Sequence, residues 1–163
     1  MAINPEQDML DQTEDTQKGK FLTFSLGNEF YGMEIKSVTE IIGLQPITEI
    51  PEMPEYIKGI INLRGKIIPV MDVRLRFKKS FRDYNDRTCV IVIDIRDISI
   101  GLIVDSVSEV MSISEEDILP PPNMGNGGGK YIKGIGKVGS DVKLILDSEK
   151  LLNDADVESL ENI

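Results

Sequence analysis

Short runs of apolar residues alternate with polar residues from position 20 onward, and turn-forming residues separate one run from the next. β-Branched residues dominate these runs, which favours strands over helices. We therefore predict an all-β protein. Its first strands, by residue number, are 21–26, 30–35, 57–63, 66–71, 88–95 and 100–104. Short, closely spaced strands of this kind are typical of barrels and sandwiches.

Turn, cap and tail positions can also be assigned from the sequence. Arg64-Gly65 and Arg96-Asp97 each separate two predicted strands and are expected to form turns. Ser148 is an N-cap candidate for a short helix that reaches Leu152. Residues 1–18 are polar, acidic and without periodicity, so we expect a disordered tail there, and residues 154–163 are expected to be a C-terminal tail.

The chain repeats itself. The sequence YIKGI at Tyr56 recurs at Tyr131, and the aspartate that ends one apolar run, Asp72, recurs as Asp147, both 75 positions later. Upstream, the segment 31–41 matches 100–110 at an offset of 69. We therefore expect a domain over 19–153 made of two intertwined β lobes, with repeats at about 20–83 and 87–153. Lobes this small are marginal alone, so a shared core is expected.

Charge and composition exclude several functions. The net charge is −10, which disfavours nucleic-acid binding because phosphate backbones need a basic footprint. The chain has no histidine, the commonest general base and metal ligand, and only one cysteine. No apolar run is long enough to span a bilayer, so no membrane insertion is expected. The single cysteine and the lack of a secretory signal favour the cytoplasm.

A glycine-rich loop at residues 125–129 resembles a nucleotide-binding loop but has the wrong spacing. The P-loop pattern needs a glycine where Met124 stands and a serine or threonine where Tyr131 stands. We therefore predict no cofactor and no metal, and we assign no function to this loop.

Three aspartates raise an enzymatic alternative. Asp72, Asp105 and Asp147 each follow an apolar run. An aspartate at such a position commonly accepts backbone hydrogen bonds where a strand ends, and we favour that role over catalysis. A small carboxylate-dependent hydrolase stays open as the less favoured alternative, and no catalytic residue is predicted.

Arg64 distinguishes the two repeats. Its turn reads Asn62-Leu63-Arg64-Gly65, whereas the second copy reads Lys137-Val138-Gly139-Ser140 and offers no guanidinium there. The shared fold therefore does not require this arginine. An exposed arginine can bind a carboxylate through two parallel hydrogen bonds, although most exposed arginines contribute little.

The segment IINLRGKIIPVMD, from Ile60 to Asp72, resembles CheW, the coupling protein family of bacterial chemotaxis. The resemblance also includes Phe30-Tyr31-Gly32 and the segment GLIVDSV that begins at Gly101, and it covers about residues 20–153. It implies a fold of two SH3-like five-stranded β barrels with one or two short helices.

The resemblance also implies a function: a non-enzymatic adaptor that couples chemoreceptor cytoplasmic tips to the histidine kinase CheA, at receptor arrays on the inner face of the membrane. The regulatory domain of CheA has the same fold, so pairing between the two proteins would be pseudo-symmetric. Because the chain ends soon after the second lobe, we favour a stand-alone adaptor over a fused module. The positions that match the family's coupling surface are Val38, Glu40, Ile41, Gly59, Arg64 and Val110.

A generic SH3-like module that binds proline-rich peptides is a second alternative. That mode of binding uses an aromatic-lined groove. Aromatic residues make up only 6% of this chain and tryptophan is absent, so we consider this alternative weak.

Overall fold

The structure is a computed structural model, and it describes residues 17–121 and 130–161. The predicted N-terminal tail, apart from Gln17 and Lys18, lies outside the described residues, as does the glycine-rich loop at 125–129.

The described residues form eleven strands and two short α-helices. In chain order the strands are β1 (Lys20–Leu26), β2 (Glu29–Glu34), β3 (Val38–Gly43), β4 (Ile57–Leu63), β5 (Lys66–Asp72), β6 (Cys89–Ile95), β7 (Ile98–Val104), β8 (Ser106–Ser112), β9 (Ile118–Leu119), β10 (Ile132–Val138) and β11 (Asp141–Leu146). The helices are α1 (Val73–Arg76) and α2 (Asp154–Glu161), and single 3-10 turns occur at Ile35–Ser37, Glu115–Asp117 and Ser148–Lys150. The all-β prediction is confirmed.

The strands form two SH3-like sheets. The first barrel has the strand order β3-β6-β7-β5-β4, and the second has the order β8-β1-β2-β11-β10 with the two-residue β9 added at its end. Most neighbouring strands are antiparallel, but β5 and β7 run parallel, as do β2 and β11. If each strand of the first barrel is replaced by its counterpart in the other repeat, the strand order becomes that of the second barrel.

The repeats and the barrels do not coincide. The hairpin β1–β2 belongs to the first repeat but lies in the second barrel, and β6–β7 belongs to the second repeat but lies in the first barrel. Each barrel is therefore built from both halves of the chain. The sequence repeat identifies which segments are alike, but it does not show that the two hairpins are exchanged.

The exchanged hairpins bring two glycines into close contact with the strand beside them. Gly32 on β2 pairs with Ile145 on β11, and Gly101 on β7 pairs with Val70 on β5. A Cβ atom at Gly101 would lie 3.0 Å from Val70 Cγ1, and one at Gly32 would lie 3.0 Å from Ile145 Cδ1. The close approach of strands therefore explains why both repeats carry glycine at this position.

One apolar core joins the barrels. It includes buried residues of β1 and β2 from one sheet and of β5, β6 and β7 from the other, and helix α2 packs against it. Phe24 and Tyr31 stack within it at 5.6 Å between ring centroids. The expected shared core is confirmed, and it explains how two small barrels reach adequate burial.

The predicted C-terminal tail is wrong over most of its length. Residues Asp154–Glu161 form helix α2, which buries Val157 and Leu160. The helix begins with a reciprocal cap: Asn153 Oδ1 accepts from the Asp156 amide at 2.8 Å, and Asp156 Oδ2 accepts from the Asn153 amide at 3.1 Å. A cap residue followed three positions later by an acidic residue is a capping-box arrangement, which favours a helix that begins at Asp154.

The predicted helix at Ser148–Leu152 is a 3-10 turn over Ser148–Lys150. Its N-cap is Asp147, whose side chain accepts from the Glu149 amide at 3.1 Å. The cap therefore lies one residue earlier than predicted.

Arg76 anchors α2 at the junction of the two repeats. Its Nε donates to the Leu151 carbonyl at 2.7 Å, and its guanidinium lies 3.6 Å from the Asp156 carboxylate, with both side chains buried. The guanidinium also lies over the rings of Tyr56 and Tyr131, at 4.3 and 5.1 Å from their centroids. The two tyrosines are repeat counterparts, so one arginine from the first repeat contacts both copies.

Candidate interaction surface

Arg64 lies at the tip of the β4–β5 hairpin. Arg64 has a φ of 52° and Gly65 a φ of 87°, and Asn62 Oδ1 accepts from the Gly65 amide at 2.8 Å. Two successive residues with positive φ match the twist of a tight hairpin. The turn predicted here is confirmed, and it exposes the Arg64 side chain to solvent.

The guanidinium of Arg64 forms an ion pair with the carboxylate of Glu40 on β3. The hydrogen bond from Arg64 lowers the pKa of the Glu40 carboxyl, and the same bond raises the pKa of Arg64. Both groups are accessible to solvent, so the pair contributes little to folding and is available to a partner.

Ile41 and Val110 are exposed apolar residues at equivalent positions. Ile41 lies on β3, the end strand of the first sheet, and is 42% exposed. Val110 lies on β8, the end strand of the second sheet, and is 48% exposed. The offset of 69 makes them repeat counterparts, so each barrel presents an apolar side chain on the corresponding strand.

Val38 begins β3 and is half-buried against the shared core. It pairs with Ile93 of β6, and the register shifts between Val38 and Glu40. A β-bulge of this kind changes the direction in which the following side chains point. The bulge therefore helps to set how Glu40 and Ile41 are presented.

Gly59 is buried and cannot contact a partner through a side chain. It has a φ of +145°, and a Cβ there would lie 2.1 Å from the Thr48 carbonyl oxygen. Thr48 and Ile60 exchange two backbone hydrogen bonds of 2.9 Å, which hold the β3–β4 connection against β4. Gly59 thus positions this connection and does not itself form part of the exposed surface.

The structure brings five of the six predicted residues onto one barrel. Three of them share β3, Gly59 lies on β4, and Arg64 reaches back to Glu40. Val110 lies on the other barrel.

A second pair of exposed apolar residues was not predicted. Ile67 on β5 and Val142 on β11 are repeat counterparts at the offset of 75, and each is about half exposed. The repeat aligns them, but sequence alone does not show that this face of the strand meets solvent.

The three aspartates of the enzymatic alternative accept hydrogen bonds from the fold itself. Asp72 caps α1, with Oδ1 accepting from the Leu75 amide at 3.2 Å, and its Oδ2 accepts from the Tyr84 hydroxyl at 2.7 Å. Asp147 caps the 3-10 turn, as described above.

Asp105 Oδ2 accepts from the Gly27 amide at 2.7 Å and lies within 3.3 Å of both Arg74 and Arg82. Asp72 and Asp105 line a polar cavity of about 240 Å³. Asp72 accepts from a backbone amide and a tyrosine hydroxyl, and Asp105 from a backbone amide and two arginines, as expected for a structural role.

Over residues 17–121 and 130–161, no cluster of three or more histidine, cysteine or carboxylate side chains could hold a metal ion. Within the same residues, no helix has the length and apolar character needed to cross a bilayer.

Two fused β barrels that present matched apolar positions and an accessible ion pair define a protein-interaction scaffold. The family model described as the CheW-like domain matches residues 20–156, and the chain belongs to this family. It is a coupling protein of chemotaxis signal transduction.

Two curated relatives match almost end to end. Chemotaxis protein CheW of Klebsiella aerogenes is 37% identical over 91% of this chain and 90% of its own length. Chemotaxis protein CheW of Treponema pallidum is 33% identical over 100% of this chain and 92% of its own length. The crystal structure of scaffolding protein TtCheW from Thermoanaerobacter tengcongensis is similar with a TM-score of 0.79 and 40% identity, covering 85% of this chain and 96% of that one.

Proposed function

We propose that this protein couples the cytoplasmic tips of chemoreceptors to the histidine kinase CheA, at receptor arrays on the inner face of the membrane. It acts by binding both partners at once and carries out no catalysis. Its coupling surface includes Val38, Glu40, Ile41, Arg64 and Val110, and Gly59 positions the segment beside it.

The observation that carries the proposal is that one end strand, β3, presents both Glu40, in its accessible pair with Arg64, and the exposed Ile41. A strand that presents an apolar side chain and an accessible charge pair is suited to reversible binding: burial of the apolar group supplies affinity, and the charges set register and specificity. A partner carboxylate can replace Glu40 on the Arg64 guanidinium without leaving a buried charge unpaired.

The matched positions on the two barrels support the kinase as one partner. A regulatory domain with the same two-barrel fold would present the same kind of strand to Ile67 or Val142. Pairing between similar barrels would then be pseudo-symmetric. The receptor tip is a helical hairpin, whose apolar face would pack against Ile41 as a helix packs into a groove.

The test is capture of a receptor tip and of the CheA regulatory domain by Arg64→Glu. Arg96→Glu is a matched control, because Arg96 also lies at a hairpin turn with positive φ and also pairs with a carboxylate, that of Asp154. We expect Arg64→Glu to lose at least one partner while Arg96→Glu retains both. Unchanged capture of both partners by a folded Arg64→Glu protein would contradict the assignment of this surface.

A further inference from the structure

The two barrels are filled differently at equivalent ends. In the first barrel, Ile61, Ile68 and Ile103 are buried in one apolar cluster. The repeat offsets place Gly136, Lys143 and Glu34 at the corresponding positions of the second barrel. Three large apolar side chains are therefore replaced by a glycine and two charged residues.

The second barrel has a smaller apolar cluster at this end and an open depression beside it, and Glu34 is the one of the three replacements that lines the depression. The buried part of that cluster consists of Phe21, Ile113 and Ile145. Together with the half-buried Ile118, these side chains form the floor of a cavity of about 640 Å³. A cavity of this size and lining is suited to apolar side chains of a short peptide.

The rim of this cavity is basic, in contrast to the chain as a whole. Lys18, Lys20, Lys36 and Lys133 line it together with Glu34 and Glu115. Glu34 lies between two of these lysines, 2.6 Å from Lys133 and 3.3 Å from Lys36. The lysines outnumber the carboxylates around this opening, although the net charge of the protein is −10. An occupant should therefore combine apolar side chains with negative charge.

Residues 1–16 have this chemistry and are attached at the cavity. They contain five carboxylates and no lysine or arginine, and the apolar pair Met9-Leu10 lies between Asp8 and Asp11. Gln17, the first described residue, lines the cavity. The seven residue-to-residue steps from Leu10 to Gln17 can span up to about 23 Å when extended, which is enough to fold back across the end of a small barrel.

We propose that residues 1–16 dock in cis on the open end of the second barrel, with Met9 and Leu10 over Ile113, Ile118 and Ile145 and the flanking aspartates facing the lysine rim. The segment is already tethered at the cavity, so its high effective concentration favours it over a free peptide of the same sequence. This inference does not depend on the coupling function proposed above.

The test compares isoleucine-methyl NMR spectra of the full chain with those of Met9→Ser/Leu10→Ser. Gln7→Ser/Gln12→Ser, which changes two polar positions of the same segment, is the matched control. We expect the first variant to shift the methyl signals of Ile113, Ile118 and Ile145, and to leave Ile61 and Ile68 of the first barrel unchanged. The control should reproduce the parent spectrum.

A synthetic peptide of residues 1–16, added to Met9→Ser/Leu10→Ser, should move the three shifted signals back toward their parent positions. Two results would overturn the proposal. One is a Met9→Ser/Leu10→Ser spectrum identical to that of the parent. The other is a set of Ile113, Ile118 and Ile145 shifts that depends on protein concentration equally in parent and variant, which would make a second copy of the chain the occupant.

Discussion

Arg64 and Glu40 join the two strands that stand at opposite ends of the first sheet. Arg64 follows β4 and Glu40 lies on β3, and the sheet order β3-β6-β7-β5-β4 separates these strands by three others. The ion pair therefore lies where the sheet curves back on itself. The exposed ion pair of Arg64 and Glu40 therefore also marks the place where the barrel closes.

Exchanging the two charges should separate the structural role of this pair from its role in recognition. Glu40→Arg/Arg64→Glu restores an ion pair of opposite polarity, so the urea midpoint should stay close to that of the parent. Capture of the receptor tip or of CheA should nevertheless be lost, because a partner now meets a carboxylate where it met a guanidinium. If the double variant binds both partners as the parent does, the polarity of this pair has no role in recognition.

The buried pair of Arg76 and Asp156 should be far more important for stability than the exposed pair of Arg96 and Asp154. Asp156→Ala leaves the Arg76 guanidinium buried without its carboxylate and should cost about 3 kcal/mol of unfolding free energy. Asp154 has a side chain that is 95% exposed, so Asp154→Ala should cost less than about 0.5 kcal/mol. Urea unfolding of the two variants checks the contrast, and equal losses would contradict it.

The two close-packed glycines should respond differently to a methyl group. At Gly101 a Cβ would meet Val90 Cγ1 at 2.6 Å and Val70 Cγ1 at 3.0 Å, and valine has little rotamer freedom to move away. At Gly32 the nearest atom is the flexible end of Ile145. Gly101→Ala should therefore destabilise the protein by about 1–3 kcal/mol, and Gly32→Ala by less. Thermal or urea unfolding measures both, and the opposite order would show that the first barrel is the more adaptable.

Tyrosine ionisation should destabilise the fold at high pH. Burial, followed by the 2.5 Å hydrogen bond to Asp156, raises the pKa of Tyr56 to about 12 from its ordinary value of 10.0. The neutral tyrosine is thus favoured in the folded state, and its contribution is complete below pH 10 and is lost as the pH rises toward 12. The pKa values of Tyr31 and Tyr84 are also raised, first by burial and then by carboxylate partners.

Tyr56→Phe should consequently lose stability less steeply than the parent between pH 10 and pH 12. The slopes of stability against pH are compared, and not the stabilities themselves, because the substitution also removes the hydrogen bond to Asp156 at every pH. Urea midpoints across this range measure it, and parallel curves would show that Tyr56 ionises normally.

The sequence correctly predicted features that depend only on residues close together along the chain. The turns at Arg64-Gly65 and Arg96-Asp97 follow from short apolar runs on both sides, and both are confirmed. The adaptor role followed from a resemblance that covers nearly the whole chain.

Features that depend on pairing between distant strands were not predictable in the same way. The exchange of hairpins places β1–β2 beside β8 and β11, and nothing in either segment alone specifies that choice. The contact of Arg64 with Glu40 depends on barrel closure, and the burial of Gly59 depends on the connection that crosses it. Helix α2 is different, because its cap is formed by Asn153 and Asp156, which are close together in the sequence.

The shared hairpins also fix the order in which the protein can fold as it is synthesised. All strands of the first barrel have left the ribosome once Val104 is free of the exit tunnel, so that barrel can close while the chain is still growing. The β1–β2 hairpin is made first, yet its partner β11 is made last. It must remain unpaired on that side until Leu146 emerges, so the oldest strands of the nascent chain are the last to be completed.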